Sequence, residues 1–535
     1  MPLPSSQRSA PSTARLAALM IVALVAACGG GAGGGSSPAA TPAVVPEVFL
    51  TDHTTGARRL LGATEDGSGS LVLVPDAARL LSGGGLTLKT DLGLVYTLKG
   101  ASSYIREIRL VSLDGRTDRL LRAVDDSLYQ TRLIGVRGAH LAIEVLDSHY
   151  TGAIEALPLA GGDPVRLCAS GQAIQLGATS LVYLDNTPGA PSPYRVGQLA
   201  TGASQAFALR GVLTALPGGG FLMGSYATSL YDPLVLLTDD FAPVRTFAPV
   251  GTLAWPHPTA QTWEATVPVA GDRLFGLVPE GEGRRLMAYA RGGAAAVRLD
   301  GSILAGSDFR VIGVSGTRLI YRAQVPDAAP GYSLAAYRIV PATGGTPLDL
   351  APLANRDDER VIGLTSTCLV VASGKAQDLS RVRFLPLDGS APTDVDAWAP
   401  GGTSETQAWI VGDRLAHVAF DGTTYRLVSV DALGLGSRTH LEGAAMIFGQ
   451  NPNGTGIRAG RMCFSRGAEL HLLDPAGPAA TLLRGGATPT YFAGWSRTRV
   501  LFSFQEGATY PLWSARMDGT DLRRISPDAS LVDVP

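Results

Sequence analysis

The stretch Arg499–Ile525, RVLFSFQEGATYPLWSARMDGTDLRRI, constrains the fold of this chain more than any other. Val500–Phe504 is an apolar run of strand length, and Tyr510–Met517 alternates apolar and polar side chains, the period of a strand with one buried face. Asp518-Gly519 then predicts a tight turn, because glycine accepts the positive φ a hairpin needs, and Leu522–Ile525 returns. The unit recurs. Ten runs predict a second strand: Leu94–Leu98, Leu141–Val145, Leu181–Leu184, Phe221–Met223, Leu274–Val278, Leu319–Tyr321, Leu369–Ala372, Leu415–Phe420, Met462–Phe464 and Val500–Phe504. Gly271-Asp272-Arg273, Gly316-Thr317-Arg318, Gly412-Asp413-Arg414 and Gly460-Arg461 stand just ahead of four of them and predict turns.

Each unit also closes on a small hairpin and an apolar stop, as in Leu113-Asp114-Gly115 to Leu120 and Asp388-Gly389 to Val395. The stops recur at ~40–50 residues, the period of a four-stranded propeller blade. One blade cannot bury both faces, so neighbours must stack, and a ring removes the exposed ends. The expected fold is all-β: a β-propeller of four-stranded antiparallel blades, about ten units. The interruption Val250–Ala270 carries Pro256, Pro258 and Pro268, so two rings are favoured over one large ring. Residues 47–250 then hold the N-terminal blades and 251–535 the C-terminal blades, about six.

The N-terminus carries an address. Arg8 and Arg15 precede the apolar stretch Leu16–Ala27, too short to span a bilayer, and small residues lead to Cys28. Residues 1–27 are therefore expected to be a signal peptide. Leu24-Val25-Ala26-Ala27-Cys28 resembles the lipobox of bacterial lipoproteins. That resemblance implies cleavage before Cys28 and lipidation of its sulfur, with two or three acyl chains, palmitate among them, holding the protein to the membrane. Gly29 follows, where an Asp would imply inner-membrane retention, so the outer membrane of a bacterial cell envelope is the expected location. Residues 28–46, rich in Gly, Ser, Ala and Pro, read as a flexible tether of roughly 25 Å.

The repeats themselves resemble TolB-type β-propeller repeats. Leu512–Gly519 through Arg523-Arg524-Ile525 fits that pattern of alternating apolar residues, Asp-Gly, a spacer and Arg-Leu, and Arg106–Leu120 fits nearly as well. The Trp-Asp signature of WD repeats and the Asp-box of sialidases are missing. The resemblance implies a fold and no activity.

Chemistry is sparse. A net charge of −2 with no basic stripe argues against a nucleic-acid partner. Gly-x-Ser-x-Gly, His-Glu-x-x-His, Walker and paired Cys-x-x-Cys motifs are absent, so no catalytic residue, metal ligand or cofactor is assigned. Asp147, His149 and Tyr150 read as a polar hairpin tip. Asp125-Asp126, Asp239-Asp240 and Asp357-Asp358-Glu359 lack the alternating pattern of a Ca²⁺ loop and read as solvated charge. Cys168, Cys368 and Cys463 lie in or beside apolar runs and read as buried thiols. Trp409 and Trp513 read as blade packing. Trp255, His257 and Trp263, in the proline-rich interruption, are the candidate binding residues, since a core explains them poorly. The expected role is binding or scaffolding of a protein, peptide or glycan partner, with no enzyme activity assigned. The alternative is a propeller-fold lyase or hydrolase whose site converges on a central channel and leaves no local motif.

Overall fold

The computed structural model describes residues 46–533 apart from 55–57, 81–86, 101–104, 126–129, 147–151, 190–192, 210–211, 217, 225–233, 248–251, 254–268, 281–282, 305–308, 327–332, 354–358, 376–377, 397–407, 421–422, 444–446, 450–455 and 487. The expected signal peptide, Cys28 and the expected tether up to residue 45 lie outside these residues. So do Asp147, His149 and Tyr150. No helix among the described residues is long and apolar enough to cross a membrane.

The chain is a β-propeller. Among the described residues its strands form ten antiparallel sheets, one of them seven-stranded and made of two blades that share the strand Val165–Leu176, giving eleven blades. Blade 2 shows the pattern: Thr87–Thr90, Gly93–Lys99, Ile105–Val111 and Asp118–Asp125 follow one another in space as in sequence. Blade 1 alone is split. Val48–Asp52, Arg59–Ala63 and Ser70–Val74 are its last three strands, and Ala529–Asp533 at the far end of the chain is its first. Sequence periodicity gave ten units because this eleventh is assembled from both termini.

Apolar clusters join each blade to the next. Phe49 and Leu60 of blade 1 meet Leu94 and Tyr96 of blade 2. Leu222 and Phe247 of blade 5 meet Leu274 and Tyr289 of blade 6. Leu501 and Leu512 of blade 11 meet Val48 and Leu50 of blade 1. Every other boundary has its own cluster. Among the described residues no apolar cluster joins blades that are not neighbours in this circuit. Two rings divided near residue 250 would set blade 1 against a blade of the N-terminal half. The packing follows the one-ring alternative instead, and the core runs on across the proline-rich interruption.

One face of the ring is built from tight turns, between first and second strands and between third and fourth. The Asp-Gly hairpins seen in the sequence are on this face, and each leans on the preceding blade. Gly115 has φ +69, and a Cβ there would stand 2.8 Å from the Val72 carbonyl oxygen of blade 1. Gly67 meets the Arg524 carbonyl of blade 11 at the same distance. Three arginines that open second strands clip the hairpin of their own blade, while Arg318 Nη1 donates to the Leu387 carbonyl in the hairpin of the next blade. Arg414 Nη2 donates to the Gly436 carbonyl, Arg461 pairs with Asp474, and buried Arg499 pairs with Asp521 while its Nε donates to Ser514 Oγ. Asp240 Oδ1 accepts from Thr179 N at 2.7 Å and Ser180 Oγ at 2.9 Å, tying blade 5 to blade 4.

The seam between blades 11 and 1 has a similar tie. Glu65 Oε2 accepts from Ser496 Oγ and from Thr498 N, and Oε1 from Thr498 Oγ1. Burial works against ionisation of Glu65, but the Ser496 and Thr498 donors outweigh it, and its carboxyl sits below the usual range. Asp52 accepts from Ser526 Oγ at 3.1 Å across the same seam.

Candidate functional site: the channel wall

The first strands of neighbouring blades touch: Ala529–Asp533 and Thr87–Thr90, Thr87–Thr90 and Gln130–Arg137, Gln130–Arg137 and Val165–Leu176, then Arg310–Ser315 and Glu359–Leu364, and Glu359–Leu364 and Ala408–Val411. Among the described residues neighbouring fourth strands make no comparable contact. The blades therefore converge on their first strands, which form the wall of the central channel.

A bulge recurs in that wall. Pairing skips a residue between Leu133 and Gly135, Ala173 and Gln175, Val311 and Gly313, Val361 and Gly363, and Phe492 and Gly494. The skipped residues are Ile134, Ile174, Ile312, Ile362 and Ala493. A bulge bends the strand and re-aims its side chain. Ile134, Ile312 and Ile362 pack partly against the inter-blade clusters, while Ile174 is 40% exposed. The glycine after the bulge makes room for the next blade. A Cβ on Gly135 would lie 3.0 Å from Leu176 Cδ2, on Gly313 2.7 Å from Leu364 Cδ1, and on Gly363 2.8 Å from Ile410 Cγ1. The sequence signal is an apolar-Ile-Gly-apolar run ahead of the second strand, as in Val311-Ile312-Gly313-Val314 and Val361-Ile362-Gly363-Leu364. It escaped notice because the second-strand runs are more apolar.

The exposed side chains of the wall are mixed. Lys89, Arg132, Arg137, Gln172 and Ser530 are the polar ones, and Ile174 and Tyr491, the latter 53% exposed, are the apolar and aromatic ones among the described residues. Arg132 is engaged by Glu144 at 2.8 Å, whose other oxygen accepts from Ala173 N of blade 4. No histidine stands on a first strand among the described residues.

The buried ionisable groups lie elsewhere, in blade interiors. His440 Nε2 is 2.7 Å from Ser429 Oγ, yet both are buried and Ser429 also donates to the Pro475 carbonyl. His471 meets Glu469 at 3.0 Å. Burial pushes the His417 imidazole down to about 4. Tyr321 donates to Asp300, which Arg338 also engages at 2.9 Å, and burial, then Asp300, raises the phenol. Cys168, Cys368 and Cys463 are buried free thiols, as expected, and burial pushes Cys168 up to about 11. Asp394 pairs with Arg383 at 2.7 Å. No group of three or more His, Cys, Asp or Glu among the described residues could hold a metal ion.

Trp255, His257 and Trp263 lie outside the described residues, but the flanks of their segment are placed. Thr252–Leu253 and Val269–Ala270 both pair with Arg273–Glu280: Leu253 faces Gly276, and Val269 faces Leu274. Leu253 and Val269, the nearest described residues on either side of 254–268, thus both stand on the first strand of blade 6. Blade 10 repeats this, with Gly449 facing Phe464 and Ile457 facing Met462 on either side of 450–455.

The chain is similar at low identity to several solved structures. An oligogalacturonate lyase in complex with manganese shares 14% identity at a TM-score of 0.30, over 65% of this chain and 97% of that one. The β-propeller domain of the Trilobed protease from Pyrococcus furiosus shares 8% at 0.23, over 75% and 98%. A prolyl endopeptidase shares 11% at 0.28, over 71% and 55%. No protein family and no curated protein matches the sequence. At these scores the likeness says nothing of activity.

Proposed function

We propose that this chain is a lipid-anchored β-propeller of the bacterial cell envelope that binds or scaffolds a protein, peptide or glycan partner through its channel wall. The TolB-like pattern of the repeats and the lipobox ending at Cys28 support that setting. One observation carries the binding role: among the described residues the converging first strands present Ile174 and Tyr491 among scattered polar side chains, rather than a cluster of acids, bases and nucleophiles. Apolar and aromatic surface with a few polar groups is the chemistry of recognition. The segment 254–268 starts and ends on the same wall, so Trp255, His257 and Trp263 are assigned to the binding surface with Ile174 and Tyr491.

The test is capture of partners from envelope extract by the full lipidated chain, comparing wild type with Ile174→Asp, Tyr491→Ala and Trp255→Ala/Trp263→Ala. A partner lost at least tenfold by these substitutions, with an unchanged melting temperature, supports the reading. Turnover of a glycan or peptide by the wild-type chain, abolished by the same substitutions, would establish the lyase or hydrolase alternative instead.

A further inference from the structure

We infer that the ring is carried with its turn face toward the membrane, leaving the opposite face, where second strands pass to third strands and blade passes to blade, directed outward. This rests on the lipid-anchor reading and adds to it which mouth of the channel opens away from the membrane.

The observation is where the chain enters the ring. Glu47 N donates to the Ala63 carbonyl at 2.9 Å, and Glu47 Oε2 accepts from Glu65 N at 3.0 Å. Pro46 lies so close to Gly62 that a Cβ there would stand 2.6 Å from its Cγ. Gly62 and Ala63 end the third strand of blade 1, and Glu65 stands in the hairpin that follows. The tether therefore joins the ring at the hairpin tips, on the turn face, beside the Glu65 contact with Ser496 and Thr498.

Length decides the orientation. A tether over residues 28–46 has a root-mean-square reach of roughly 25 Å. To turn the ring over, it must pass the third and fourth strands, about 10 Å at ~4.8 Å per strand, and then run the length of a blade. The blade-1 strands have 5 residues each, about 17 Å at ~3.3 Å per residue, and those of blade 7 reach 9. That path, about 27 Å, already matches the root-mean-square span before the bilayer is met, so inverting the ring costs the tether conformational entropy that the upright ring does not.

The experiment uses the full lipidated chain in phosphatidylethanolamine–phosphatidylglycerol vesicles bearing an energy-transfer acceptor on the lipid headgroup. Arg116→Cys labels an exposed hairpin of the turn face and Ala508→Cys a connection on the opposite face. Asp388→Cys and Glu506→Cys form a second, independent pair. The native Cys168, Cys368 and Cys463 are buried and do not compete for the dye. Transfer at least twofold higher from the Arg116 and Asp388 positions supports the orientation. Equal or reversed transfer overturns it, while the anchor reading stands if vesicle flotation is lost on Cys28→Ala. Flotation that survives Cys28→Ala overturns the anchor reading and the orientation with it.

Discussion

At the scale of single residues, the buried ionisable side chains act as structure. His417 stands on the second strand of blade 9 with 3% exposure, and burial holds its imidazole down to about 4. An unfolded histidine titrates near 6.5, so below that pH the unfolded chain binds a proton that the folded chain refuses. The stability His417 permits is fully present above about 6.5 and falls as pH drops toward 4, by ~3 kcal/mol at ~1.4 kcal/mol per unit. Burial also lowers His440 and His471. Denaturant midpoints between pH 7 and pH 4.5 should therefore fall for the wild type and fall less steeply, without becoming flat, for His417→Leu. An unchanged slope would mean that His417 takes up its proton in the folded state. Paired carboxylates show the same turn to structure: Asp239-Asp240, which reads as solvated charge, supplies acceptors to Gly220 N and to Thr179 and Ser180. Sequence could not distinguish the two, because the partners of Asp240 lie about sixty residues away in another blade.

At the scale of elements, the Asp-Gly hairpin explains why the repeat is visible at all. Its glycine meets two constraints, a left-handed φ and a close neighbour in the preceding blade, which is backbone at Gly115 and Gly67 and a side chain at Gly389 and Gly519. Gly115→Ala should cost about 2–4 kcal/mol, because left-handed φ costs ~1 kcal/mol and the Val72 carbonyl, being backbone, cannot swing away. Gly138→Ala, at φ +53 with nothing within 4 Å of the added Cβ, should cost only about 1 kcal/mol. Comparing the thermal midpoints of the two variants separates the turn from the contact, and equal losses would remove the buttress. Hairpins and second-strand runs were legible in sequence because each is a local pattern of φ preference and alternation. The first-strand bulge was not. Its signature, as in Leu133-Ile134-Gly135-Val136, matters only through Leu176 of the next blade, a contact that no local pattern encodes. The proline-rich interruption points to Trp255, His257 and Trp263, and the structure adds that the flanking Leu253 and Val269 pair with the second strand of blade 6.

At the scale of the whole molecule, ring count turns on what the two halves would do apart. The interruption near residue 250 looks like a domain boundary in sequence because prolines and a long spacing are the usual marks of one. In the structure Leu222, Leu236 and Phe247 on one side of it pack on Leu274, Val278 and Tyr289 on the other. The N-terminal half also lacks the first strand of its own blade 1, which the C-terminal half supplies at Ala529–Asp533. Cutting the chain in the interruption therefore exposes two blade faces on each half, the Leu222–Tyr289 cluster and the Val48–Leu501 cluster. Apolar faces of that kind associate rather than stay in water. Fragments 46–253 and 269–535, each produced alone, should aggregate or remain unfolded, and produced together they should co-purify as a one-to-one complex with the β-sheet circular dichroism of the intact ring. Two independent rings predict the opposite, two soluble monomers that melt separately and ignore one another, and that result would return the boundary to where the prolines suggest it.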